Sequence, residues 1–203
     1  MSKEHIITIK IGSSTLLTKR HLVDEFRVGQ LAVQIKQLQE TNWGIILVVS
    51  GAVACGSRFL SHESDLEKQA AAGIGQVLLI SKLAEIFRPQ KLTIAQILVI
   101  QRDICNLSSV IDKHLEHGIV PVFNENDVIE LNGFGGNDFL AVEVARLTQS
   151  SHLLILSTMA GSVFGVGGGE GKLQAVNMAQ DLGINTQIVD GKAENILLKT
   201  INI

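Results

Sequence analysis

Four segments of this 203-residue chain gather lysine, carboxylate, amide, hydroxyl and glycine groups at the density that phosphate or carboxylate chemistry requires. The first is Lys10-Ile11-Gly12-Ser13-Ser14-Thr15, a lysine near the end of a strand-like run followed by glycine and three hydroxyl residues. It offers an anion one positive charge and several donors, although a polar loop with a surface lysine has the same composition. The second is Ser50-Gly51-Ala52-Val53-Ala54-Cys55-Gly56. Small residues let a substrate approach the backbone, and N–H groups opening a helix bind carboxylate or phosphate; tight helix–sheet packing selects the same residues. The third pairs Asn124-Glu125-Asn126-Asp127 with Gly135-Gly136-Asn137-Asp138. Such clusters are costly to bury unpaired, so they are turns or a ligand site. The fourth, Gly165-Val166-Gly167-Gly168-Gly169-Glu170-Gly171-Lys172, belongs to a stretch with six glycines between residues 161 and 171. It suits a phosphate cradle or a plain flexible connection.

The common nucleotide fingerprints do not fit. In G-x-x-x-x-G-K-[ST], Val166 holds the first glycine position and Leu173 the Ser/Thr position, and no G-x-G-x-x-G follows a strand-like run. No G-x-S-x-G nucleophile elbow is present either. Cys55 and Cys105 are too few for a disulfide framework or a Cys-pair zinc site, and both are expected in or near the core. His114 and His117 sit three apart with no third ligand nearby in sequence, so they read as solvated helix residues and no direct protein ligand set for a metal is expected.

The elements that must position these segments alternate from end to end. Strands are expected at 6–11, 45–49, 93–99, 119–123, 153–156 and 185–189, several of them continuous apolar runs of the kind buried on both sheet faces. Helices are expected from Phe26 to about Asn42, from Asp65 to Phe87 with Pro89 just beyond, and at 107–117, 139–148 and 172–181. This alternation implies βαβ units, a mainly parallel sheet and helices on both faces. In such folds ligands sit beyond the carboxyl ends of the strands, which is where all four segments fall.

Composition narrows the function. With 46% hydrophobic and 18% charged residues the chain carries a substantial core. A net charge of −3 with no basic block argues against nucleic-acid and anionic-membrane partners, and no Tyr and one Trp leave no stacking platform for single strands. No apolar run reaches the roughly 18 residues of a spanning helix, and no signal region opens the chain. A cytoplasmic protein acting on a small molecule is the expectation.

Taken in order, the segments resemble the amino acid kinase family, and within it the branch that phosphorylates the γ-carboxylate of glutamate at the start of proline synthesis. The resemblance rests on residues 7–14, on 48–56, on Ala70-Ala71-Ala72-Gly73-Ile74-Gly75-Gln76 with Ala95-Gln96-Ile97-Leu98, on Val120-Pro121-Val122-Phe123-Asn124-Glu125-Asn126-Asp127, on Gly136-Asn137-Asp138 and on Gly171-Lys172-Leu173-Gln174-Ala175. It implies a three-layer α/β/α sandwich, ATP with Mg²⁺ as donor, glutamate or a related carboxylate as acceptor, and a homo-oligomer. Carried over by position, Lys10 and Lys172 resemble the lysines that neutralise the transferring phosphoryl group. Asp138 resembles the carboxylate that orients them or helps hold the metal. Ser50, Gly51, Ala52, Asp127 and Asn137 take the places of acceptor-binding residues. Lys10, Gly12, Ser157, Thr158, Gly167, Gly168, Gly169 and Lys172 take those of nucleotide-binding residues.

The departures concern the donor side. The family's Gly-Asp-Asn-Asp element stands here as Gly135-Gly136-Asn137-Asp138, one carboxylate short. After residue 156 the chain runs Ser157-Thr158-Met159-Ala160-Gly161-Ser162-Val163-Phe164, without the family's aspartate and tyrosine, and passes almost directly to the glycine-rich stretch. The expectation is one amino-acid-kinase-like domain over residues 1–203, shortened on its nucleotide side and without an RNA-binding-type C-terminal domain. Three functions compete: an active kinase, a catalytically impaired relative that binds glutamate or a similar carboxylate, and a scaffold that has lost both sites.

Overall fold

The structure is a computed structural model that describes residues 5–60, 63–158 and 169–202. Its strands are β1 (His5–Ile11), β2 (Trp43–Val49), β3 (Ile94–Val99), β4 (Val120–Glu125), β5 (His152–Ser157) and β6 (Asn185–Asp190). Its helices are α1 (Ser13–Leu16), α2 (Glu25–Glu40), α3 (Ala52–Gly56), α4 (Asp65–Phe87), α5 (Ser108–Glu116), α6 (Asn137–Leu147), α7 (Gly169–Asp181) and α8 (Ile196–Ile201). The strands form one sheet in the order β3-β4-β2-β1-β5-β6, and every neighbouring pair is parallel.

Strand pleating sorts the side chains into two cores. Ile7, Ile9 and Ile11 of β1 pack with Ile45, Leu47 and Val49 of β2 against Leu31, Ile35 and Leu38 of α2, Leu79, Leu83 and Phe87 of α4, and Leu197 of α8. On the other face Ile46, Val48, Phe123, Leu153 and Ile155 meet Ile111 and Leu115 of α5, Leu140 and Val144 of α6, and Ala175 and Ala179 of α7. The sandwich therefore has three layers. Alternate residues of one strand serve opposite cores, so a strand such as β2 is buried at every position and is apolar throughout.

Local signals set the helix ends. Asp24 caps α2 by accepting the Arg27 N–H at 3.1 Å. Ser64 and Glu67 form a reciprocal capping box that starts α4. Helix α4 is long and apolar enough to cross a membrane on length and composition alone; its Ala71, Ala72, Gly75, Leu79, Leu83 and Phe87 are buried against the rest of the protein, which makes it a core helix.

The departures from the sequence pattern lie mostly at the sheet's C-terminal edge. Strand β4 runs on through Asn124 and Glu125, α6 begins at Asn137 and α7 at Gly169, because amide, carboxylate and glycine residues there break the apolar periodicity while the backbone continues. Helices α1, α3 and α8 are too short to show a period. Cys55 is buried as expected; Cys105 is exposed. It lies in the 3₁₀ turn Gln101–Asn106 beyond the edge strand β3, where Ile104 alone is buried.

Candidate functional site

Because all six strands run the same way, their C-terminal ends share one edge, and the chain leaves the sheet there through the polar segments. Lys10 is the penultimate residue of β1, paired in register with Val48 and Ile155. The pleat that sends Ile9 and Ile11 into the α2/α4 core sends Lys10 to the α6 side, where it is 5% exposed. Asp138, in the first turn of α6, meets it there: Lys10 Nζ lies 2.7 Å from Asp138 Oδ1. Lys172, in the first turn of α7, approaches the other oxygen, with Nζ 3.4 Å from Asp138 Oδ2. One carboxylate thus holds two ammonium groups. Burial draws the Lys10 pKa below the usual lysine range, the Asp138 carboxylate opposes that shift, and the neighbouring Lys172 charge adds to it.

A chain of amides adjoins this cluster. Gln76 of α4 accepts the Asn124 side-chain N–H at 2.7 Å, and Asn124 accepts the Asn137 side-chain N–H at 3.0 Å. Asn137 in turn accepts the Glu125 backbone N–H at 3.4 Å. The buried Glu125 carboxylate accepts the Phe134 N–H at 3.0 Å, which folds the 126–136 loop back over the strand end. Burial raises the Glu125 pKa, and the N–H groups of Phe134 and Gly136 oppose the rise. In sequence, Asn124 and Glu125 fall in a polar segment and Gln76 in a stretch that matches the family, but none of the three is assigned an individual role there. The signal was their position, since Glu125 ends a fully buried strand and a charge there needs a partner.

Asp127, just beyond β4, is half-buried with its pKa raised to about 6 by burial and the nearby Glu125 charge, partly offset by the Asn132 N–H. Ser50 follows the last residue of β2, and Gly51 comes next at φ +114° as the N-cap of α3. A side chain at Gly51 would be strained, and its Cβ would come within 2.8 Å of Leu17 Cδ1. The turn is fixed from the other side too, because a Cβ on Gly75 of α4 would collide with the Ala52 carbonyl oxygen. Ser50, Gly51, Ala52 and Asp127 therefore join the same edge, just beyond the ends of β2 and β4.

Of the nucleotide-side candidates, Gly12 is buried, donates its N–H to the Leu156 carbonyl at 3.2 Å, and would place a Cβ 3.7 Å from Lys10 Nζ. Ser157 is buried at the end of β5, and the Thr158 hydroxyl donates to Ser14 Oγ at 3.2 Å. Gly169 opens α7. Gly167 and Gly168 lie outside the described residues.

Lysines bridged by a carboxylate at the C-terminal edge of a parallel sheet, beside a strand-to-helix turn with open N–H groups, can neutralise a phosphoryl group next to a bound carboxylate. Known proteins resemble the chain in fold or in sequence. The fold is similar to that of isopentenyl phosphate kinase, with a TM-score of 0.69 at 14% identity over 98% of this chain and 96% of that one. It is also similar to UMP kinase from Ureaplasma parvum, with a TM-score of 0.67 at 16% identity over 97% and 95%. In sequence the chain is 30% identical to glutamate 5-kinase of Oceanobacillus iheyensis over all of its own length and 66% of the relative's. It is 29% identical to glutamate 5-kinase of Clostridium acetobutylicum over all of its length and 92% of that protein's. The first alignment runs over 247 positions although the chain has 203 residues, so tens of the relative's residues have no counterpart here. The model of the amino acid kinase family matches residues 5–190, all six strands and both lysines included. The chain belongs to the amino acid kinase family, a family of ATP-dependent kinases.

Proposed function

We propose that this phosphotransferase moves the γ-phosphoryl group of ATP to the γ-carboxylate of glutamate. The observation that carries the reading is the bridge from Lys10 through Asp138 to Lys172, standing beside Asn137 and the ends of β2 and β4. A γ-carboxylate is ionised at neutral pH, so no general base is required. One of its oxygens attacks the γ-phosphorus while the bond to the β,γ-bridging oxygen breaks; an acyl phosphate forms and ADP leaves with the electron pair. Catalysis then consists of holding the two ligands in line and offsetting charge on the phosphoryl oxygens. Lys10 and Lys172 supply that charge, and Asp138 keeps them from repelling each other out of place. Asp127 takes the ammonium group of the amino acid, and Ser50 with the N–H groups at the start of α3 takes a carboxylate.

The residues fit a phosphate tail better than a free cation. Asp138 is already engaged by two ammonium groups, and no group of three His, Cys, Asp or Glu residues among the described residues could hold a metal. Mg²⁺ would therefore arrive bound to the nucleotide phosphates, where it shields their charge. We read the chain as one amino-acid-kinase-like domain with a shortened nucleotide side. That shortening supports a second reading, a relative that binds glutamate or a similar carboxylate and turns over little ATP.

A coupled assay of ATP turnover with glutamate, with aspartate and acetylglutamate as rival acceptors, tests both. Glutamate-dependent ADP release that disappears in Lys172→Gln is expected. Glutamate binding without ADP release in the native protein would favour the second reading, and neither binding nor turnover would refute both.

A further inference from the structure

On the α2 side of the same sheet edge lies a cleft of about 510 Å³, within the range that holds small ligands. Three cations from three separate segments face it: Lys19 in the turn before α2, Arg27 in the first turn of α2, and Lys192 after β6. The hydroxyls of Ser14 and Thr158, 3.2 Å apart, also line it. Arg27 is held in place, its guanidinium donating to the Gly191 carbonyl at 3.4 Å and lying 3.7 Å from Asp24. Asp24 is the one acid in the lining, and it also caps α2, so it offsets a single charge. Lys19 and Lys192 have no ion-pair partner among the described residues. Like charges converging on a concavity raise its potential and concentrate anions there, and hydroxyls beside them supply the donors that phosphate oxygens accept.

We propose that this cleft is a binding site for a phosphate-bearing small molecule, separate from the Lys10–Asp138–Lys172 cluster. The same chemistry could come from a distal part of the donor nucleotide lying over Ser14 or from an independent phosphorylated compound. Binding of inorganic pyrophosphate, followed by calorimetry in a Lys172→Gln background that weakens the other cluster, isolates the cleft. Adding Lys19→Ala and Lys192→Ala, both at exposed positions, is expected to weaken pyrophosphate about tenfold or more while the thermal unfolding midpoint stays put. Competition between pyrophosphate and ADP in that background would assign the cleft to the nucleotide, and additive binding would assign it to an independent compound. Unchanged pyrophosphate affinity in the lysine variants would overturn the proposal. So would the loss of all pyrophosphate binding through Lys172→Gln alone.

Discussion

Replacing Asp138 by Asn preserves shape and removes the charge that joins the two lysines. At an effective dielectric of 20, the 2.7 Å contact with Lys10 carries about 6 kcal/mol of attraction and the 3.4 Å contact with Lys172 about 5, before desolvation is subtracted. Desolvation is large here, since the Lys10 side chain is 6% and the Asp138 side chain 17% exposed. Removing one partner of a buried pair leaves the other charge uncompensated and costs about 3–5 kcal/mol. Lys172 is less buried and recovers some hydration, so the lower end, about 3 kcal/mol at pH 7, is the expected loss of stability.

The pH dependence separates this cause from a packing defect. Burial holds Lys10 below the usual ammonium range, so between its folded and unfolded pKa values the unfolded chain binds the extra proton, and stability rises with pH across that window. Without Asp138 the main influence raising the Lys10 pKa is gone and the window opens at lower pH. The gap between native and variant should therefore be widest near neutrality and narrow as alkali discharges Lys10. Urea unfolding at half-unit steps from pH 6 to 10 measures it. A loss under about 0.5 kcal/mol at pH 7, or one that keeps the same size throughout, would refute the reasoning.

Three further outcomes are expected. Gly75→Ala should cost about 1–3 kcal/mol in urea unfolding and weaken glutamate binding as well, because the new methyl pushes the Ala52 carbonyl and the Ser50–Ala52 turn away from α4. Asp127 ionises near pH 6 in the fold against 3.8 as a free side chain, so the stability tied to its protonated form is complete below 3.8 and lost as pH rises through 6. Asp127→Asn should then stabilise the ligand-free protein above pH 6, by about 1 kcal/mol after solvent screening of a part-exposed group, while glutamate affinity in the native protein falls about tenfold per pH unit below 6. Glu125→Ala should cost about 1–3 kcal/mol and speed hydrogen exchange at the Phe134 amide, whose acceptor it removes.

The sheet was legible because β-branched and leucine runs such as Ile45–Val49 are buried on both faces, and that burial requirement is written residue by residue. Lys10, Asp138 and Lys172 were assigned roles through family resemblance, whereas the carboxylate bridge between the two lysines is a tertiary fact. It depends on the parity of β1, on the turn that starts α6 at Asn137 and on the α6–α7 packing, none of which has a period to read. Glu125, included in a segment read as a turn or a ligand site, received no role of its own for a related reason. Among asparagines it looks like part of a turn, and its role appears only when the Phe134 N–H returns to it across nine residues.

The two helix ends in the cluster place charge in opposite senses. Asp138 sits in the first turn of α6, where the positive end of the helix dipole favours a carboxylate. Lys172 sits in the first turn of α7, where the same dipole disfavours a cation. Left alone, Lys172 would lower the stability of its helix, and the Asp138 oxygen 3.4 Å away compensates for part of that. In the proposed reaction an incoming phosphoryl group would complete the compensation, since the N-terminal turn of α7 and the lysine on it attract the same anion. Asp138 holds both ammonium groups together before any ligand arrives, so in the proposed reaction little reorganisation of the lysines is left for the moment when charge shifts between phosphate oxygens. On that reading, the stability that α7 gives up in the ligand-free protein is recovered as affinity for the phosphoryl group.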